Sequence, residues 1–311
     1  MAPVLPSGLV DGVEWLLRTA GPRLPVLGGM VAGNMRAAGV YSDAAFRAYF
    51  EQVALHLCNA ARIFRLRRCP GAVARLAGGQ IDLDPSIDHL RGACAGGRGV
   101  VLAPAHTTNY VLTLARLNQA VPLCIFLRWS SDTRRQAMKR DWCEACGIEV
   151  VMEPASEANP TARAAACVEI LRSGRVLAIT PDIAQKEADG VAVDVLGRRA
   201  HLPSGMAAIA LLAEAPIVPL FGRLDGKRQA LYCCPPLRAE MLPRAEGGRR
   251  AAIQRATQAW AVHFEDFLRA APAAWFLWGD SRWTKVFRLD PRYARPHDEA
   301  PRPGLAASVP A

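Results

Sequence analysis

The chain has 311 residues, 51% of them hydrophobic, and a formal net charge of +10 in which arginine far outnumbers lysine. That length and content suit one α/β domain with a substantial core and do not require a second, and the basic balance points to an acidic partner such as phosphates or anionic lipid head groups. No apolar run approaches the ~18 to 20 residues that span a bilayer, and no zinc-finger spacing, RNP-like aromatic motif or helix-turn-helix signal supports a nucleic-acid partner.

Residues 1 to 35 read as a short amphipathic segment, Val10 to Thr19, and then a Pro/Gly-rich turn, with Leu24 to Gly33 interrupted by Pro25, Gly28 and Gly29. The amphipathic segment suits either packing or a membrane-surface cover. A basic leader followed by an apolar core and cleavage site is absent, so the expected location is cytoplasmic, soluble or attached peripherally at the inner membrane face. From Ser42 to Leu66, residues Phe46, Phe50, Val53, Leu57, Ala60 and Phe64 recur at helical spacing and predict one long helix. The basic run Arg62, Arg65, Arg67, Arg68 closes it, where cations favour a helix C-terminus.

From residue 98 the pattern becomes strand, helix, strand. Apolar strands at 99 to 105, 123 to 128, 148 to 152 and 175 to 180 alternate with helical stretches at 109 to 119, 133 to 146 and 160 to 173. Further strands near 191 to 196, 216 to 222 and 229 to 234, and helices at 205 to 214 and 248 to 270, complete a single domain over residues 1 to 290, with 1 to 66 as its N-terminal helical portion. The alternation predicts an α/β fold, a mostly parallel central sheet flanked by helices. Residues 291 to 311 are rich in Pro, Arg and Ala and read as a disordered tail.

The nine cysteines are odd in number and lie in apolar contexts, which describes reduced, buried thiols. Cys143-Glu-Ala-Cys146 has no second pair at finger spacing, so no metal site is implied. The Gly96-Gly-Arg-Gly99 cluster precedes its strand and so fails the dinucleotide and P-loop contexts, and no G-x-S-x-G elbow is present.

The most informative stretch is Gly99-Val-Val-Leu-Ala-Pro-Ala-His106-Thr-Thr-Asn-Tyr-Val111. A buried strand would leave His106 at its C-terminal edge, where ligands of open α/β sheets collect, and Thr107 or Thr108 would cap the helix that follows. A histidine there is well placed to act as a base.

His106-Thr-Thr-Asn109-Tyr110-Val111 resembles the His-x-Gly-Asn-Trp-Glu form of the His-x4-Asp/Glu motif of the lysophospholipid acyltransferase superfamily, in the lipid A late (lauroyl/myristoyl) acyltransferase branch. His and Asn match, Tyr110 replaces Trp, Thr108 replaces Gly, and Val111 stands where the acid belongs. Three further blocks resemble the same family. Val121 to Arg128, then Trp129 to Arg135, resembles its strand ending in arginine before a basic helix. Ala178-Ile-Thr-Pro181-Asp182, Val191 to Gly197 and Pro203-Ser-Gly205 resemble its "PD or DQ, then a strand ending FFG, then a Gly at a helix start" block. Trp275-Phe-Leu-Trp278-Gly-Asp-Ser-Arg282-Trp283 resembles its closing W-x-W-x-x-x-R-W/F signature. An N-terminal membrane helix, typical of that branch, is not expected from the apolar runs of this sequence.

The resemblance implies acyl transfer from an acyl carrier protein or acyl-CoA thioester to a hydroxyl or amine of a lipid, sugar or specialised-metabolite intermediate, without a cofactor. It implies His106 as general base and places Asn109, Arg128, Gly205 and Arg282 on the substrate side. Arg128 is the first candidate for contact with phosphate, carrier arm or oxyanion, with Arg282 second. Gly205 would start a helix and allow close backbone approach. Trp275, Trp278 and Trp283 read as core.

In the family the motif acid fixes the imidazole tautomer and steadies the imidazolium, and Val111 can do neither. Three explanations compete. Another carboxylate takes the role, Asp182 first, with Asp280 and Glu153 behind it. The acceptor is an amine or activated phenol that needs less help from a base. Or the protein is a non-catalytic acyl-chain or carrier-protein binding module.

Overall fold

The computed structural model describes residues 7–296 apart from 70, 108, 128–131, 153–159, 226–227 and 238–247. The helical N-terminal portion comprises α1 (Ser7–Ala20), α2 (Pro25–Ala37) and α3 (Asp43–Leu66), followed by α4 (Ala72–Gln80), β1 (Ile81–Leu83) and α5 (Ile87–Ala95). Four parallel strands then alternate with helices: β2 (Val100–Pro104), α6 (Tyr110–Ala120), β3 (Leu123–Leu127), α7 (Thr133–Ala145), β4 (Glu149–Met152), α8 (Pro160–Arg172) and β5 (Val176–Ala178). A hairpin, β6 (Val191–Val195) and β7 (Arg198–Leu202), leads to α9 (Gly205–Ala213), β8 (Ile217–Asp225) and β9 (Arg228–Cys233). The chain closes with α10 (Gly248–Ala270), α11 (Ser281–Phe287) and β10 (Ala294–Pro296).

Among the described residues the main sheet has seven strands in the order β1-β9-β8-β2-β5-β3-β4, parallel except where β9 runs against β8. β2 lies centrally and every one of its residues is buried, which is why its sequence is an unbroken apolar run and not an alternation. Apolar side chains fill both faces of the sheet, against α4, α5 and α6 on one side and against α9, α10 and the tryptophans near the C-terminus on the other. Gly99 makes the entry to β2 possible. Its φ is +64°, and a Cβ there would stand 2.7 Å from the Arg175 carbonyl oxygen, so this glycine serves backbone approach.

Four expectations need correction. Residues 25 to 37 form a helix and not a turn. Pro25 opens it, Gly28 lies against the Pro22 carbonyl where a Cβ would reach 2.5 Å, and Asn34 donates to Trp278 O at 2.8 Å and Thr284 Oγ1 at 2.9 Å. Tertiary burial of Val31 and Met35 offsets the ~1 kcal/mol helix penalty of each glycine. The strand at 191 to 196 is half of a hairpin: Leu196 and Gly197 both have positive φ, as a two-residue turn of the type I′ kind requires. The tail does not begin at 291, because β10 pairs antiparallel with β7 and makes a three-stranded sheet with β6. The buried stripe of α3 is also rotated from the apolar spacing. Leu57 is exposed, while Gln52 and Asn59 face inward.

Candidate active site

Strands β2 and β5 are direct neighbours with Leu102 opposite Ala178, and Ile179 N–H continues the ladder to Leu102 O at 2.9 Å. The segments leaving the two strands therefore emerge side by side at the C-terminal edge of the sheet, bringing His106 and Asp182 together. His106 Nδ1 lies 2.6 Å from Asp182 Oδ1, and the His106 backbone N–H donates to Asp182 Oδ2 at 2.7 Å. Asp182 is wholly buried, whereas the His106 side chain keeps 25% of its surface exposed.

The aromatic signature near the C-terminus holds this carboxylate. Trp275 Nε1 donates to Asp182 Oδ2 at 2.9 Å, and Trp283 Nε1 donates to the Asp182 carbonyl at 2.8 Å. Trp275, Trp278 and Trp283 are fully buried and meet edge to face, with Trp275 centroids 4.8 and 5.0 Å from the other two. Phe276 N–H donates to His106 O at 2.9 Å, locking the two segments together. The tryptophans thus belong to the core, as the sequence suggested, and in addition orient the acid.

Burial pulls the His106 pKa down, but the charge of Asp182 and the hydrogen bond to it outweigh burial, and the net shift is upward. With Nδ1–H donated to the carboxylate, Nε2 is the ring nitrogen left with a lone pair. Tyr110 stacks on the imidazole with centroids 5.2 Å apart.

His106 borders a cavity of about 230 Å³ lined mainly by apolar side chains, among them Leu114, Ile125, Leu127, Trp142 and Ile148. Cys143 and Cys146 also line it, and burial pushes their thiols up to about 11 and about 12, so neither is a thiolate at neutral pH.

The remaining residues singled out in the sequence fall in different places. Arg282 is paired with Asp280 through Nε to Oδ1 at 3.1 Å and Nη2 to Oδ2 at 2.8 Å, and both charges act on His106, Arg282 lowering and Asp280 raising its pKa. Asn109 is buried at the start of α6 with φ of +69°, a left-handed position that Asn tolerates better than other non-glycine residues. Its Oδ1 accepts from Asn59 Nδ2 at 2.9 Å, in a network that continues to Gln80 and Arg62. Asn109 itself stands at the N-cap, where the sequence pointed to Thr107 or Thr108; Thr107 makes a bridge to Trp275 instead, and Thr108 lies outside the described residues. Gly205 opens α9, but a Cβ there would meet nothing within 4 Å, so no protein neighbour demands a glycine. Arg128 and Glu153 lie outside the described residues.

Sequence reasoning passed over His56. It reaches the cavity wall from α3, and its position three residues after Val53 and four before Ala60 was the available signal.

The phosphatidylinositol mannoside acyltransferases of two Mycobacterium tuberculosis strains, CDC 1551 / Oshkosh and H37Rv, are each 29% identical to this chain over 195 residues, 61% of this chain and 57% of theirs. The alignment thus spans little more than half the length of those relatives. The family model of bacterial lipid A biosynthesis acyltransferases matches residues 50–285, which include every element of the site just described, and the chain belongs to that family.

Proposed function

We propose that this chain transfers an acyl group from a carrier-protein or CoA thioester to a hydroxyl group, with His106 as general base and Asp182 in the role that Val111 cannot fill. The contact between His106 Nδ1 and Asp182 Oδ1 at 2.6 Å carries this reading. His106 Nε2 takes the proton of the attacking hydroxyl as its oxygen bonds to the thioester carbonyl carbon. The tetrahedral intermediate collapses by breaking the C–S bond, and the departing thiolate receives the proton from the imidazolium, leaving an ester and a free thiol. Asp182 keeps the ring in the required tautomer and stabilises the imidazolium while it exists.

The apolar cavity beside His106 suits an acyl chain. An amine acceptor draws on two observations, the missing motif acid and the lack of a spanning helix, and a carboxylate beside Nδ1 weakens the first. The relatives' names favour a hydroxyl of a lipid-linked sugar over a small specialised metabolite. Among the described residues no helix is long and apolar enough to cross a membrane. Approach to a lipid would then use the exposed Trp15 and Leu16 of α1 and Leu24 and Val26 at the start of α2, beside Arg18 and Arg23, as a peripheral contact with an anionic surface.

Release of thiol from acyl-CoA and acyl carrier protein donors, with phosphatidylinositol mannoside as acceptor, tests the reading. Wild type should turn over and His106→Ala should fall to background. Thiol release at background level in both proteins, with acyl-chain affinity kept in His106→Ala, would instead identify a binding module.

A further inference from the structure

Attack on the thioester places negative charge on the former carbonyl oxygen, and catalysis calls for a fixed hydrogen-bond donor at that atom. Among the described residues, several donors around His106 are committed elsewhere. The backbone N–H groups of His106, Thr107 and Phe276 donate to Asp182, Ala105 and His106 respectively. The Trp275 and Trp283 indoles both bond to Asp182, Arg282 forks onto Asp280, and the Tyr110 hydroxyl bonds with Thr180.

His56 is different. Its ring borders the cavity that His106 borders and packs against Phe276 at a centroid distance of 4.9 Å, the same residue whose N–H is bonded to His106. Among the described residues its ring nitrogens take no hydrogen-bond partner. Burial, and then the charge of His106, push its pKa down to about 4, so at neutral pH the ring is uncharged and carries one N–H.

We infer that His56 donates its ring N–H to the thioester carbonyl oxygen as that atom becomes the oxyanion, from the α3 wall of the cavity. The inference rests on the acyl-transfer reading above. A neutral donor suits this place for two reasons. It carries no charge to be desolvated in an apolar cavity. It also puts no second cation beside His106, which must become an imidazolium in the same step.

The test compares His56→Leu and His56→Gln with wild type and His106→Ala, following thiol release from myristoyl-CoA and palmitoyl-CoA with phosphatidylinositol mannoside as acceptor. His56→Leu should lower kcat about 10²- to 10³-fold with little change in the donor KM, the effect of removing one oxyanion donor. His56→Gln keeps an N–H and should recover at least ~10-fold of that loss. It also serves as the test protein if the leucine variant fails to fold, and a kcat below ~1% of wild type in it then overturns the assignment. Wild-type kcat in His56→Leu, a loss confined to KM, or a loss that glutamine does not relieve overturns it as well. His106→Ala turning over at the wild-type rate overturns the general-base role of His106 on which the inference rests. An inactive His106→Ala beside a fully active His56→Leu overturns only the role of His56.

Discussion

Asp182→Asn preserves the size of the side chain while removing its charge and exchanging one acceptor oxygen for an NH2 group. Among the described residues Asp182 Oδ2 accepts two N–H groups, the His106 backbone at 2.7 Å and the Trp275 indole at 2.9 Å, whereas Oδ1 faces only His106 Nδ1 at 2.6 Å. The amide oxygen should therefore keep the Oδ2 position and the NH2 should face the imidazole. Facing a donor, the ring takes the other tautomer, with its proton on Nε2 and no lone pair there for the attacking hydroxyl. In the serine-protease triad the same exchange lowers kcat about 10⁴-fold, and a loss of ~10³- to 10⁴-fold is expected here.

The pH profile gives an independent sign. Burial lowers the His106 pKa and Asp182 more than restores it, to above the ordinary 6.5, so the carboxamide should bring it down. A general base works only when neutral, so the acid limb of kcat/KM should move to lower pH in the variant although its plateau is lower. Stability should follow the same linkage. The raised His106 pKa stabilises the fold fully below pH 6.5, and this contribution is lost as pH rises through the folded-state value. Thiol release measured across pH, with urea unfolding in parallel, tests the argument. Wild-type turnover in Asp182→Asn, or a fallen plateau with the acid limb unmoved, refutes it.

Val111→Glu should give no gain in turnover, because His106 Nδ1 already has its carboxylate; a several-fold increase in kcat would show that Asp182 does not fill the role. Gly99→Ala should destabilise the fold by roughly 2 to 4 kcal/mol, combining the left-handed φ with the crowded carbonyls of Leu171 and Arg175, and a urea midpoint unchanged from wild type would contradict this. Trp275→Phe keeps most of the buried ring but removes a donor to the Asp182 carboxylate, at a cost of about 1.5 to 3 kcal/mol. A turnover loss should accompany that lower thermal midpoint, and full activity would show that the indole does not orient the acid. Leu114→Trp should fill part of the cavity and move donor preference toward shorter acyl chains, and an unchanged chain-length profile would place the chain elsewhere.

Much of the fold was legible because its signals are local. The apolar runs of β2, β3 and β5, the helices between them, and Ser42, whose hydroxyl accepts from Ala45 N–H at the start of α3, obey short-range rules. The misreadings came where distant partners decide. Gly28, Gly29 and Pro25 argue for a turn until the C-terminal elements supply the contacts that hold residues 25 to 37 as a helix. The strand Ala294–Pro296 exists only because β7 offers it an edge.

The site divides along the same line. By itself the sequence determined the strand edge on which His106 stands and the absence of an acid at position 111. It also put Asp182 beyond another strand, but strand order is not written in any local pattern. Only the tertiary structure made β5 the neighbour of β2, set Trp275 and Trp283 on the Asp182 carboxylate, and brought His56 to the cavity from a helix 50 residues upstream. The physical reason is that helix and strand periodicity act through residues a few positions apart, whereas a hydrogen bond between side chains 76 residues apart depends on which elements the core packs together.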